Sequence, residues 1–355
     1  MIPHHGIAIS LFSGAGGLDL GVERAGFQVA AAVEVDGDAA DSLEKNLGGL
    51  VTPVLRRDIL TVPTRELLRA AGLRGRARPE LLVGGPPCTP FSKSGFWLDW
   101  KRAGLDPAAS LLQAYTRVLA ESKPEAFILE NVYALTFNNA QSRPAYERLL
   151  REIDDAGYAF KAAVLNAADY GVPQLRPRLF IVGAPKGRRA PSLPLPTHGG
   201  RWERRRRARH DMPHVTSGES LAGLKTDPEP GERLNGRWGH LLADIPPGDN
   251  YLHYTAERGH AEPVFRWRSR YWSFLLKLDP MRPSPTIQAQ PGPNVGPFHW
   301  ENRRLRVPEL RRLFTFPDDF ELVGSRASIQ AQLGNSVPPL LAQQVAQGVA
   351  SSLNG

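Results

Sequence analysis

Ile7-Ala8-Ile9-Ser10-Leu11-Phe12-Ser13-Gly14-Ala15-Gly16-Gly17 is an apolar run that breaks into a cluster of small residues. Ile7 to Phe12 has the length and composition of a short buried strand. The cluster Ser13 to Gly17 ends it, and Leu18 to Ala25 continues with helical spacing. A second apolar run, Gln28 to Val33, stops at Glu34. Further along, Leu81 to Val83 runs into Gly84-Gly85-Pro86-Pro87-Cys88, Ala126 to Leu129 into Glu130 and Asn131, and Leu179 to Val182 into another glycine and proline. Helical stretches such as Leu111 to Glu121 and Ala145 to Ala156 lie between them. This alternation predicts an α/β fold, a mostly parallel sheet with helices on both faces, which binds ligands beyond the carboxyl ends of its strands. The polar motifs fall at those ends.

The chain has 355 residues, enough for one large or two unequal domains around a sizeable core. With 41% hydrophobic and 23% charged residues it is not a disordered polypeptide over most of its length. A net charge of +8 fits a polyanionic partner, because clustered Lys and Arg release counterions from phosphates, and equally fits solvated surface cations. The single cysteine, Cys88, excludes an intrachain disulfide and a cysteine-based zinc site and suits a reducing compartment. His210 and His214 have no cysteine or carboxylate constellation around them, so no metal site is expected. The N-terminus lacks a charged segment followed by a long apolar stretch, and no run of apolar residues is long enough to span a bilayer. The expectation is a cytoplasmic, nucleoid-associated protein that uses no membrane.

Each motif has a chemical reading beside a plain one. The small residues after Phe12 let the backbone approach a ligand closely, and a helix N-terminus offers free N–H groups; alone, such a loop is also an ordinary tight turn. It is not the dinucleotide fingerprint, whose third glycine would fall on Asp19. Glu34, at a strand end, has the place of a carboxylate that accepts ribose hydroxyls, and Asp58 in Arg57-Asp58-Ile59 could accept an adenine amino group; either alone reads as a surface carboxylate. Two prolines stiffen the backbone before Cys88, which suits a nucleophile more than an inert buried thiol. Glu130 brings a carboxyl group to the same sheet edge, able to stabilise charge developing in a heterocyclic base. In Gln174-Leu175-Arg176-Pro177-Arg178 the arginines alternate to one face, for a base oxygen and a phosphate or for a charged strand edge. Gly334-Asn335-Ser336-Val337-Pro338-Pro339 reads as a binding turn or a helix entry.

Taken in order, FSGAGG, GGPPCTPFS, ENV, QLRPR, RPSPTI and GNSVPP resemble the motif set of the DNA cytosine-5 methyltransferase family, from Phe12 to Pro339. The resemblance implies a Rossmann-like class I methyltransferase sheet with a smaller target-recognition domain. It implies that Phe12, Gly14, Gly16, Glu34 and Asp58 contact S-adenosylmethionine, with Pro87, Asn335 and Ser336 closing the pocket. Cys88 is then the nucleophile that attacks carbon 6 of a flipped-out cytosine, Glu130 holds ring N3, and Arg176 and Arg178 position the base and its phosphate. Lys93 to Asp106 is similar to the family's loop that closes over the flipped base, with Gly95 and Gly104 as hinges, Trp97 and Trp100 as its aromatics and Ser94 entering the vacated stack. No metal is implied.

The regular alternation fades after Pro185 and returns near the C-terminus. The expected organisation is a catalytic domain over residues 1–187, a target-recognition domain over 188–324, and a C-terminal segment over 325–355 that packs back on the first. Arg201, Arg204 to Arg207 and Arg209, beside Trp202, are suited to phosphates or to a solvated loop. The expected partner is double-stranded DNA, met by a monomer, with a cognate restriction endonuclease acting separately. A transfer-RNA cytosine-5 methyltransferase and a catalytically silent nucleic-acid-binding protein are the competing functions.

Overall fold

The computed structural model describes residues 5–47, 52–87, 107–140, 142–199, 212–266 and 271–353. Seven strands make one sheet: β1 (Ile7–Leu11), β2 (Gln28–Val33), β3 (Val54–Leu55), β4 (Leu81–Gly84), β5 (Ala126–Val132), β6 (Tyr158–Asn166) and β7 (Pro177–Pro185). Their order is β3-β2-β1-β4-β5-β7-β6. From β3 to β5 all neighbours are parallel, whereas β7 runs antiparallel to both β5 and β6. Strand β1 ends a residue earlier than its apolar run suggests, because Phe12 takes a left-handed backbone (φ 56°) that turns the chain into the glycine loop.

Helices α1 (Gly17–Arg24), α2 (Gly37–Asn46), α3 (Thr64–Ala70), α4 (Pro107–Ser122) and α5 (Ser142–Asp155) connect these strands. The C-terminal half adds α6 (Ser217–Leu221), α7 (Val307–Leu313), α8 (Arg326–Asn335) and α9 (Pro339–Leu353), with a two-strand pair, β8 (His198–Gly199) and β9 (Met212–Pro213). Successive side chains of a strand face opposite sides, so each central strand feeds two cores. Ile9, Leu11, Phe127 and Leu129 pack with Tyr115, Leu149 and Ile153 of α4 and α5. Ala8, Val29, Val83 and Ile128 pack with Val22 of α1 and with Leu341, Val345 and Val349 of α9. The Tyr115 hydroxyl donates to the Ile128 carbonyl at 3.0 Å and so satisfies its polar tip inside the core.

Between β7 and α7 the chain is mostly turns, stabilised by two smaller cores. Leu221, Leu278, Ile287, Leu310, Phe314 and Leu333 form one, with Leu20 of α1 against it. Leu242, Tyr251, Tyr254, Leu275 and Phe298 form the other. Among the described residues no helix is long and apolar enough to cross a membrane.

Helix α9 lies against α1 at Gly21, where a Cβ would collide with the Ala342 side chain and with the backbone of Pro339 and Gln343. A glycine is required here by proximity. Gly21→Val is expected to lower stability by about 1–3 kcal/mol through overpacking. Gly37→Ala, at a helix start with nothing near its Cβ, serves as the neutral control. Thermal unfolding of the two variants checks the contrast, and equal midpoints would contradict the close packing of α1 on α9.

Candidate functional site

The parallel strands β1 to β5 place their carboxyl ends on one edge, and the chain that leaves each end is where the site residues gather. After β1, Phe12, Gly14 and Gly16 all have positive φ, at 56°, 56° and 89°. The loop they form is tied to β2: the Ser13 N–H donates to the Val33 carbonyl at 3.2 Å and the Gly14 N–H to Glu34 Oε2 at 2.6 Å. Glu34 Oε1 accepts the N–H groups of Val35 and Asp36, at 2.9 and 2.8 Å. Its carboxylate is therefore fixed in direction with lone pairs still available for hydroxyls.

Asp58 is exposed just beyond β3, where its side chain accepts the Leu60 N–H at 2.9 Å and caps a short 3₁₀ turn, Ile59–Thr61. Beside these two carboxylates stand exposed apolar side chains, Val35 at 69% and Leu60 at 52%. A pair of hydrogen-bonding carboxylates, two apolar surfaces and open space above Gly14 match the needs of an adenosine-containing ligand, polar at ribose and apolar along the base. Sequence reasoning missed Val35 and Leu60, since nothing in a lone Val or Leu after a carboxylate marks it as exposed.

Strand β4 leads through Gly85 to Pro86 and the exposed Pro87. Next to it, at the end of β5, Glu130 is nearly enclosed, and a Cβ at Gly85 would crowd its Oε2 at 2.8 Å. Because β7 runs antiparallel, its beginning lies at this same edge, with Val132 opposite Arg178. Arg178 Nε thereby comes within 3.1 Å of Glu130 Oε1. Burial pushes the Glu130 carboxyl up, while Arg178 and then Arg176 pull it down. Burial pushes the Arg178 guanidinium down, and Glu130 opposes that shift. Asn131, also buried, donates from Nδ2 to the Pro86 carbonyl at 3.0 Å. The strand that carries Glu130 is thus bolted to the segment leading to Cys88. In sequence the only signal of this role is that Asn131 directly follows Glu130.

Arg176 is wholly enclosed. Its guanidinium donates to the carbonyls of Gly334 (2.6 Å), Ser336 (3.0 Å) and Ile287 (3.3 Å), and its face lies 5.0 Å from the centre of the Phe314 ring. Burial drives its pKa well down, with Arg178 adding to the shift and Glu130 opposing it. Gln174 is equally buried and receives the Ile287 N–H on Oε1 at 3.3 Å. These bonds bring the α8–α9 turn to the sheet edge, where Asn335 is exposed and Ser336 is buried with its hydroxyl on the Gln332 carbonyl at 2.8 Å. A Cβ at Gly17 would collide with the Val337 carbonyl, so this turn rests directly on the glycine loop.

Cys88, the segment Lys93 to Asp106, Arg201, Trp202, Arg204 to Arg207, Arg209 and His210 lie outside the described residues. His214 pairs with Asp169, Nε2 to Oδ1 at 2.9 Å. The described edge can hold a polar ligand over the glycine loop and present a buried carboxyl with a cation behind it, within one strand spacing of the Pro86–Pro87 segment.

Comparison with known proteins agrees with this geometry. Residues 7–351 match the model of the family described as C-5 cytosine-specific DNA methylase. The chain is 48% identical to the type II methyltransferase M.SacI of Streptomyces achromogenes, over 97% of this chain and 93% of that protein. It is 33% identical to the type II methyltransferase M1.HphI of Haemophilus parahaemolyticus, over 96% and 86%. Among solved structures, a candidate DNA modification methyltransferase encoded within a prophage (E. coli) superposes with a TM-score of 0.72, covering 98% of this chain and 99% of that one at 22% identity. That likeness establishes the fold, the Rossmann-like methyltransferase sheet.

The pairing of Glu130 with Arg178 makes a specific prediction. In Arg178→Met the carboxyl loses the neighbouring positive charge that favours its ionised form, so its titration midpoint moves up. Difference infrared titration against Arg178→Met/Glu130→Gln isolates that carboxyl band. A midpoint unchanged from the wild type would show that Arg178 does not govern Glu130.

Proposed function

We propose a function from one premise: this chain belongs to the C-5 cytosine-specific DNA methylase family. It transfers a methyl group from S-adenosylmethionine to carbon 5 of a flipped-out cytosine in a specific double-stranded DNA sequence, through a covalent adduct at Cys88. The observation that carries the reading is the enclosed Glu130 carboxyl, pushed toward its protonated form by burial and paired with Arg178 beside the Pro86–Pro87 segment.

Phe12, Gly14 and Gly16 receive the methyl donor, Glu34 takes its ribose hydroxyls and Asp58 its adenine amino group, with Pro87, Asn335 and Ser336 closing the pocket. When bound, S-adenosylmethionine supplies an electrophilic methyl group. Cys88 adds as thiolate to carbon 6 of the cytosine while Glu130 holds or protonates ring N3, so the negative charge of addition is absorbed at the carboxyl. The electron density moved to carbon 5 makes that carbon the nucleophile for methylation. Loss of the carbon 5 proton then restores the ring double bond and expels Cys88. Arg178 fixes Glu130 and the base, and Arg176 acts behind them by holding the Gly334 and Ser336 carbonyls in register.

Residues 188–324 act as the target-recognition domain, and the C-terminal segment completes the catalytic domain. The enzyme works as a monomer in the cytoplasm. The type II names of its relatives support a cognate restriction endonuclease that acts separately.

Covalent trapping tests the reading. With S-adenosylmethionine and a duplex in which 5-fluorocytosine replaces cytosine, no carbon 5 proton can be lost, so wild-type protein is expected to form a denaturant-stable complex. Cys88→Ala should form none and still bind the donor. Glu130→Gln should slow adduct formation by about 10²-fold, the usual contribution of a positioned acid. Methylation by Cys88→Ala at the wild-type rate would remove that residue from the mechanism.

A further inference from the structure

Five side-chain atoms among the described residues are buried without a well-formed hydrogen bond, and two of them are the oxygens of a single carboxylate, Asp19. Asp19 sits in the first turn of α1, fully enclosed, behind the glycine loop. The hydroxyls of Ser10 and Ser13 flank it and favour its charged form, yet Ser13 Oγ is committed to Ser10 Oγ at 2.8 Å. No Lys or Arg forms an ion pair with it among the described residues. Among the described residues the charged group that raises its titration is itself acidic, Glu34 at the loop, and Asp19 in turn raises that of Glu23, one turn along α1. Helix α9, packed on α1, carries no ionisable side chain.

We propose that Asp19 is the residue by which the site distinguishes the cationic methyl donor from its neutral-sulfur product, its carboxylate placing a negative charge, paired with no cation among the described residues, behind the loop that receives the ligand. The inference rests on S-adenosylmethionine being the donor, as proposed above. Donor and product differ by a methyl group and by the sulfonium charge it creates. A carboxylate with no cation beside it in a low-dielectric interior attracts exactly one of the two more strongly, since its field is weakly screened there. The charge also favours departure of the product once the methyl group has gone. Burial holds the Asp19 titration at about 6, and that of Glu23 at about 7, with burial the leading cause in both. Discrimination is therefore present where Asp19 is ionised and fades as the pH falls through that region.

Calorimetric binding of S-adenosylmethionine and S-adenosylhomocysteine to the full chain, at pH 8 and at pH 5, tests this. The ratio of the two affinities is the readout, because a general loosening of the pocket weakens both ligands together. In wild-type protein the ratio is expected to favour the donor at pH 8 and to fall at pH 5. Asp19→Asn, which keeps the shape and removes the charge, should cut the pH 8 ratio by about tenfold, the size of a moderately screened charge interaction, and abolish its pH dependence. Ser10→Ala removes a hydroxyl that favours the ionised Asp19, so the fall in the ratio should move to higher pH; this variant decides the matter even if Asp19→Asn does not fold. A ratio identical in wild type and Asp19→Asn, or a fall unmoved by Ser10→Ala, overturns the inference while leaving the donor assignment intact. Wild-type protein that binds neither ligand overturns both.

Discussion

A guanidinium shut away from water holds the turn between α8 and α9 on one edge of the sheet. Arg176 spends its N–H groups on the carbonyls of Gly334, Ser336 and Ile287, segments more than a hundred residues away in sequence. Burying a cation is costly, and removing the partner carbonyls from an arrangement built around it would leave the charge uncompensated. The energy is recovered only if all three segments arrive together, which makes the arrangement cooperative. Once the α8–α9 turn is held there, Val337 meets Gly17 and the glycine loop acquires its second wall. Arg178, two residues further on, then reaches Glu130 with its Nε at 3.1 Å.

The antiparallel β7 is what makes this possible. In an all-parallel sheet the start of a strand lies at the edge remote from ligands, and the arginines of QLRPR would have been on the wrong side. Reversal puts Arg176 and Arg178 beside the ends of β4 and β5, so the carboxyl edge collects groups from both strand ends and one strand beginning. The periphery has its own rigid base. Arg303 makes a two-pronged ion pair with the buried Glu309, at 2.7 and 2.8 Å, and Arg306 joins Glu232 at 2.7 Å. Such pairing lets an irregular segment keep a definite shape with a small apolar core.

The elements that were legible in sequence were those whose signal is local. The apolar run of β1, its glycine break, and the strand ends at Glu34 and Gly84 could be read because these strands are largely buried on both faces and terminate in residues that stop strands, whereas β5 runs past Glu130 to Val132 because β7 pairs with it there. Strand β6 was not legible, since at the sheet edge most of its residues are half-buried or exposed without alternation, and they include Lys161 and Ala162, which mark no strand. The direction of β7 is a property of its neighbours. The same holds at the site: Glu130 and Arg178 were recognisable by motif, whereas the clamp made by Arg176 and the bolt from Asn131 to Pro86 exist only between distant segments, and the burial of Asp19 appears only once α1 is packed. Val35 and Leu60 became meaningful only when their exposure was known.

The central claim is that this edge of the sheet modifies carbon 5 of cytosine in duplex DNA. Its most direct test is to incubate the protein with isotopically labelled S-adenosylmethionine and unmethylated genomic DNA, with transfer RNA in a parallel reaction, and then to map the product by bisulfite sequencing. The account predicts label in the DNA and cytosines protected at one position within one short sequence. Label in transfer RNA alone, or labelled DNA with every cytosine still converted by bisulfite, would contradict it.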